Sequence, residues 1–457
     1  MSADSRLMLL APHALLPQGW ARDVLLAWDS TGRLTAVTPE AAGLPDVQRA
    51  DGPVIPGMPN LHSHAFQRAF AGLTEYRGEG GDSFWSWRER MYRFAAAITP
   101  EQLEEIATHL YIEMLRAGYT SVCEFHYLHH DQRGAAYADP AEMGLRIVAA
   151  ARRAGIGLTL LPVLYQASGF GAQPSLPSQR RFVNDVDALL RIVEGLRSTE
   201  ARVGVAPHSL RAVPAPALEE VVAGLHALDA GAPLHVHIAE QQREVDDCVA
   251  WSGQRPVQWL MAHAPVDARW CLVHATHADA DERRAMARSG AVVGLCPTTE
   301  ANLGDGVFDA ADLSQHGGAW GIGSDSHASV DAAEELRWLE YLQRLAAQRR
   351  NVLATAERPQ AADQLWLAAV AGGAQASARP VAGLRSGQRA DFVVLSPEEG
   401  LDPAFTLASH VFARGRRDTI AEVWVGGRCR IARGRHEAGD EARRRFVDAR
   451  GRLLREA

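Results

Sequence analysis

The chain contains no lysine, so all 47 of its basic residues are arginine. That absence excludes Schiff-base catalysis, a phosphate-binding P-loop lysine and a carbamylated lysine bridging two metal ions. Cysteine is sparse. Cys123, Cys248, Cys271, Cys296 and Cys429 are scattered with no CxxC spacing, which argues against a disulfide framework or a cysteine zinc site and leaves them as ordinary interior residues. No apolar run approaches the roughly 18–20 residues of a membrane span, and the first residues lack a basic segment followed by a long apolar one. A cytoplasmic location is the expectation. A net charge of -8 provides no broad basic field for nucleic acid or an anionic membrane, so a small molecule is the expected partner.

What is present is enough apolar sequence for a large core: 457 residues, 47% hydrophobic and 22% charged, which suits one large domain and a smaller one. Eight short apolar or β-branched runs alternate with amphipathic stretches. They end near PGMPNLHSH, TSVCEFHY (120–127), GLTLLPVLY (157–165), RVGVAPHS (202–209), PLHVHIAE (233–240), RWCLVHAT (269–276), AVVGLCP (291–297) and GIGSDSH (321–327). Helices are expected over 99–118, opened by a Thr cap, and over 140–155, opened by Pro; both close on Gly. This is the pattern of an α/β protein built as a (β/α)8 TIM-type barrel, whose active site lies at the C-terminal ends of the strands. Residues 1–56 and 381–457 read differently, with turn-separated alternating runs such as RADFVVLS and IAEVWVGGRCRIARGR. The two ends are expected to form one small β-sandwich domain beside a barrel spanning 57–380. The tail EARRRFVDARGRLLREA reads as a helix with a solvated charged face.

Chemistry-bearing residues gather at the strand ends. His62 and His64 are two apart, so on a strand they face the same side and can reach one ion. His237 ends the fifth run with Glu240 three residues on, His274 ends the sixth, and Asp325 ends the eighth. His235 shares the face of His237 but lies deeper and reads as a packed histidine. Any one of these has a structural explanation, but accidents would not select the same end of four strands. His126, His129 and His130 read as loop histidines, His263 and His277 as helical or loop residues, and His327 as a residue that orients Asp325.

These motifs, PGMPNLHSH, HIAE, LVHAT, GSDSH and the late LRSGQRADFVVL, resemble the amidohydrolase superfamily along nearly the whole chain. The resemblance implies a metal held by His62, His64, His237 and Asp325. Its two-metal members bridge the ions with a carbamylated lysine on the fourth strand, where this chain has His208 and no lysine. A single divalent metal is therefore implied, and three imidazoles with one carboxylate suit zinc. Within the superfamily, NLHSHAFQRAFAGLTEYRG, DSFWSWRERMYRF, GYTSVCEFHYLHHD and APHSLRAV resemble the N-formimino-L-glutamate deiminases, hydrolases of histidine degradation.

That resemblance implies roles residue by residue. Asp325 would accept a proton from the attacking water, while Glu240 and His274 relay protons to departing ammonia. Gln67, Arg88, Tyr127, His208 and Arg211 would bind a substrate with two carboxylates, the guanidiniums in bidentate fashion. Phe84, Trp85 and Trp87 read as the packed wall of a long loop, and a homodimer is expected from the family alone. The alternatives are a zinc deaminase of an aminated heterocycle such as a guanine, cytosine or adenosine derivative, and a non-catalytic barrel scaffold.

Overall fold

The computed structural model describes residues 7–41, 44, 47–75, 83–413 and 419–456. The ends of two motif stretches, residues 76–78 and 82, lie outside them. Eight parallel strands carry the centre of the chain: Met58–Ser63, Tyr119–His126, Gly157–Leu164, a fourth broken into Arg202–Val203 and Ala206–Pro207, then Leu234–Ile238, Trp270–His274, Val292–Leu295 and Ala319–Ile322. They pair in sequence order as two parallel sheets, strands one to four and five to eight. Isolated parallel bridges join the sheets at both edges, Val205 with Leu234 and Ser209 with His237 on one side, Ser63 with Asp325 on the other.

The intervening helices follow from local chemistry. Pro100–Arg116 begins where Thr99 Oγ1 accepts from Gln102 N at 3.2 Å and Gln102 Oε1 accepts from Thr99 N at 2.9 Å, a reciprocal cap ahead of Pro100. Its buried residues Leu103, Ile106, Leu110 and Met114 recur at helical spacing and pack on the strands. The next helix spans Glu142–Ala154 and stops at Gly155, whose φ of 74° is readily adopted only by glycine.

Both chain ends contribute to a separate eight-stranded mixed sheet, in which Phe392–Leu395 pairs antiparallel with Val54–Pro56. Residues including Leu9, Val24, Trp28, Phe392 and Trp424 form a core of its own. The tail is the expected helix with a charged, exposed face, but its opposite face is packed. Helix Gly439–Glu456 is not solvated all round: Ala442, Phe446, Ala449 and Leu453 are buried, and Phe446 stacks 4.5 Å from His109 of helix Pro100–Arg116. Four cysteines are buried as expected, but Cys429 is exposed, because the hairpin Ile420–Val425/Arg428–Ala432 turns it outward at the sheet edge. No helix among the described residues is long and apolar enough to cross a membrane.

Helix Ala361–Ser377 lies against the first and eighth parallel strands with no room to spare. A Cβ at Gly372 would collide with the Trp320 carbonyl, and one at Gly373 would come within 2.8 Å of the Pro59 ring. Gly372→Ala should therefore destabilise the chain by about 1–3 kcal/mol through overpacking, seen as a lower urea midpoint with an unchanged slope.

Candidate metal centre and active site

The first and eighth parallel strands set the site. Asp325 N donates to His62 O at 3.0 Å and His64 N donates to Asp325 O at 3.3 Å, so the HxH segment and the aspartate are tied backbone to backbone. A Cβ at Gly323 would sit 2.8–2.9 Å from His62 atoms, so this close approach requires glycine. The side chains then converge. His62 Nε2 lies 3.2 Å from His64 Nε2, 3.0 Å from His237 Nε2 and 3.4 Å from Asp325 Oδ1, and His64 Nε2 lies 3.3 Å from the same oxygen.

Spacings near 3.3 Å are roughly the edge of a tetrahedron whose centre is about 2.0–2.1 Å from each donor, the Zn–N and Zn–O range. The four residues form a buried group whose ligand atoms all lie within 4.8 Å of one another. Burial pushes the His62 imidazole down to about 3 and lowers His64 and His237, which leaves all three in the neutral form that ligates metal. His64 Nδ1 meets Phe125 O at 2.9 Å and His237 Nδ1 meets His208 O at 3.2 Å, so each Nδ1 carries its proton and each Nε2 lone pair points inward. Burial alone would raise the Asp325 carboxyl, but His62, His64 and His274 hold it below the ordinary carboxylate range. The donor set fits a single divalent ion.

Beside it stands a different electrostatic unit. His274 Nδ1 lies 3.2 Å from Glu300 Oε1, and its Nε2 lies 3.8 Å from Glu240 Oε1 and 3.9 Å from Asp325 Oδ2. Burial would lower this imidazole, but the three carboxylates raise it to about 10. Burial pushes Glu240 up to about 7, with the Asp325 charge adding and His274 and Arg211 opposing. His274 and Asp325 both hold left-handed backbone, with φ of 68° and 41°, as do Ala239, Ala275 and His327. Non-glycine residues in that region cost about 1–3 kcal/mol each, and here they mark the strand ends that aim functional side chains. Cys296 falls within reach of His274 and Asp325. Burial holds its thiol well above its usual range.

One chamber opens onto this centre, lined by His64, His237, Glu240, His274 and Asp325 and by all five residues expected to bind substrate, Gln67, Arg88, Tyr127, His208 and Arg211. His62 lies just behind, against His64. Gln67 Nε2 donates to Tyr127 Oη at 3.0 Å, while Gln67 Oε1 is buried and finds no partner among the described residues. Arg211 Nε is also buried and unpartnered, 3.9 Å from Glu244. The Arg88 guanidinium stands 4.5 Å over the Trp85 ring. Burial, reinforced by the Arg211 charge, keeps His208 neutral. The aromatic wall is not a loop: Phe84, Trp85 and Trp87 sit on helix Phe84–Ala97, which Ser83 and Ser86 cap reciprocally.

Several side chains that contact the candidate site escaped the sequence reading. Glu300, on the short helix Pro297–Leu303, pairs His274 and accepts from Cys296 N at 2.8 Å. An acid following the seventh strand was its available signal. Glu124, inside the second parallel strand, accepts from Ser63 Oγ at 2.6 Å, Ala65 N at 2.6 Å and Tyr111 Oη at 3.1 Å. A carboxylate within an apolar strand was its signal. His327 makes no hydrogen bond or ion pair with Asp325 among the described residues; its ring meets Ser324 Oγ at 3.1 Å and Ser63 Oγ at 3.3 Å. His126 lies on a strand rather than a loop, and His129 and His130 meet the carbonyls of Val163 and Val183. His235 is packed as expected, on Ala376 O at 2.8 Å.

Glu124 grips both neighbours of His64, so it positions the HxH pair. In Glu124→Gln the amide NH2 faces donors, and affinity for zinc should fall about 10–100-fold. Competition with a chromophoric chelator would show this; unchanged affinity would refute the positioning role.

The geometry can be set beside known proteins. Residues 54–430 match the Amidohydrolase family, and residues 8–51 match the domain described as Formimidoylglutamate deiminase HutF, N-terminal domain. The chain is 53% identical over 457 residues to the formimidoylglutamate deiminase of Pseudomonas aeruginosa, covering 98% of this chain and 99% of the other. It is 26% identical over 430 residues to a 5-methylthioadenosine/S-adenosylhomocysteine deaminase of Natronomonas pharaonis, covering 93% and 92%. The crystal structure of an amidohydrolase from Brucella melitensis superimposes with a TM-score of 0.92 at 48% identity, covering 98% and 99%. An adenosine deaminase from Xanthomonas campestris, solved with bound zinc, shares the fold at a TM-score of 0.80 and 23% identity, covering 98% of each. The chain belongs to the amidohydrolase family.

Proposed function

We propose that the protein is a cytoplasmic formimidoylglutamate deiminase, hydrolysing N-formimino-L-glutamate to N-formyl-L-glutamate and ammonia at one zinc ion. The observation that carries this is the chamber itself: Arg88 and Arg211 beside neutral His208, Tyr127 and Gln67, facing a three-histidine, one-aspartate centre. Identity of 53% across nearly the full length of a formimidoylglutamate deiminase supports it. The architecture belonging to this reading is a closed (β/α)8 barrel over residues 57–380, with residues 1–56 and 381–457 folded as a β-sandwich. The bridges joining the parallel sheets at both edges, and the separate core of the mixed sheet, support that division.

In this reading His62, His64, His237 and Asp325 would hold the metal, which when bound would supply a lowered pKa for the attacking water and polarisation of the reacting centre. Arg211 and Arg88 bind the two carboxylates, Arg211 through its unpartnered Nε. Tyr127, His208 and Gln67 orient the chain between them. Water adds to the amidine carbon, and the bond from that carbon to the terminal nitrogen breaks. Asp325 takes the proton lost by water. Glu240, raised to about 7, passes protons near neutral pH to the departing nitrogen, so ammonia leaves with its full complement. The charged His274, held by Glu300, stabilises negative charge developing on oxygen.

Ammonia release from N-formimino-L-glutamate by the zinc-loaded protein is the direct test; release of formamide and glutamate would refute the deiminase reading. Arg211→Met should lower kcat/KM for this substrate about 10–150-fold, mostly through KM, as a charge-assisted hydrogen bond worth about 1.5–3 kcal/mol is lost. Turnover of an aminated purine or pyrimidine by the wild-type chain, with little effect of Arg211→Met, would favour a heterocycle deaminase.

A further inference from the structure

At the opposite, N-terminal ends of the parallel strands lies a second concave site, a cleft of about 350 Å³. That volume falls within the range of small-molecule pockets. Its lining includes Arg152, Arg379, Arg389, Arg428 and Arg430, with Glu200 as the one acidic residue. Glu200 is already engaged, accepting from Arg152 Nε at 2.6 Å and Nη2 at 2.9 Å. Behind the cleft Asp391 accepts from Gly426 N at 2.6 Å and lies 3.6 Å from Arg389 Nε. Four guanidiniums thus face a space offset by one buried carboxylate, in a chain whose net charge is -8.

Arg428 is exposed, but the other three are built in rather than splayed into solvent. Arg379 Nη1 donates to Leu158 O at 3.0 Å, yet its Nε, and the Nε atoms of Arg389 and Arg430, are buried with no hydrogen-bond partner among the described residues. Each of these three guanidiniums packs closely against a glycine. A Cβ at Gly155 would come within 2.6 Å of Arg430 Cζ, one at Gly157 within 2.8 Å of Arg379 Nη2, and one at Gly426 would collide with Arg389. The positive charge of these partly buried guanidiniums carries a desolvation cost that an anion in the cleft would relieve.

We propose that this cleft binds a phosphoryl group, either as free phosphate or as the head of a small phosphorylated metabolite. Three arginines arriving from three separate segments suit the three terminal oxygens of a phosphate better than the two coplanar oxygens of a carboxylate. The segments are the end of helix Ala361–Ser377, the strand entry at Arg389, and the hairpin strand Arg428–Ala432. A bound anion would clasp the mixed sheet to the strand entries, far from the metal centre at the other strand ends.

Isothermal titration of the zinc-loaded full chain with orthophosphate and with ribose 5-phosphate, at constant ionic strength, tests the proposal. The expected result is one saturable site for at least one probe, weakened about tenfold or more in both Arg379→Gln and Arg430→Gln, with ammonia release unchanged. Tighter binding of ribose 5-phosphate identifies a phosphorylated metabolite, and tighter binding of orthophosphate identifies the free ion. Arg430 is part-exposed on a hairpin, so its variant keeps the test open should Arg379→Gln fail to fold. Absence of saturable heat, equal affinity in wild type and the folded variants, or malonate binding as tightly as either phosphate would overturn the proposal.

Discussion

The site depends on how closely the first and eighth parallel strands approach. Two backbone hydrogen bonds, Asp325 N to His62 O and His64 N to Asp325 O, fix the aspartate against the HxH pair. Gly323 permits the contact, and helix Ala361–Ser377 backs it with Gly372 and Gly373 pressed onto the same two strands. Because His62 Nε2 lies only 3.0–3.4 Å from the other three donors, a register slip at this junction would turn the side chains away from one another. The left-handed backbone at Asp325 and His274 persists because this packing over-determines it.

Burial does opposite things to two neighbouring groups of imidazoles. Around His62, His64 and His237 it outweighs what opposes it, chiefly the Asp325 charge at His62 and His64, and leaves neutral ligands. Around His274 three carboxylates outweigh it and leave a cation. The difference lies in partners: carbonyl oxygens contact Nδ1 of His64 and His237, while Glu300 and Glu240 flank His274. One environment thus supplies both lone pairs for a metal and a fixed positive charge beside the reacting centre, a separation of roles typical of hydrolytic sites.

Strand order and the ends bearing His62, His64, His237, His274 and Asp325 were legible because period-two alternation and strand-terminal position are local signals. That Arg88, Tyr127 and Arg211 line the chamber was legible only through motif resemblance; nothing in spacing separates the two arginines from the many solvated ones. Glu124 and Glu300 were missed because their work is done across strands. Glu124 acts on Ser63 and Ala65, and Glu300 on His274, contacts between segments about 60 and 26 residues apart. The helix Phe84–Ala97 was mistaken for a loop because aromatic crowding obscured its Ser83–Ser86 cap. The tail's buried stripe of Ala442, Phe446, Ala449 and Leu453 was hidden by its dense arginine content.

The absence of lysine bears on both ends of the parallel strands. At the catalytic end it removes the carbamylated bridge, so the candidate metal centre rests on three imidazoles, which burial keeps neutral, and on Asp325. At the other end every cation is a guanidinium, which stays charged when desolvated where a lysine ammonium would shed its proton. Arg379 can therefore lie against Leu158 and Gly157 with an unpaired Nε and still carry its charge. A persistent buried charge of this kind calls for an anion, and Asp391 balances only part of what faces the cleft.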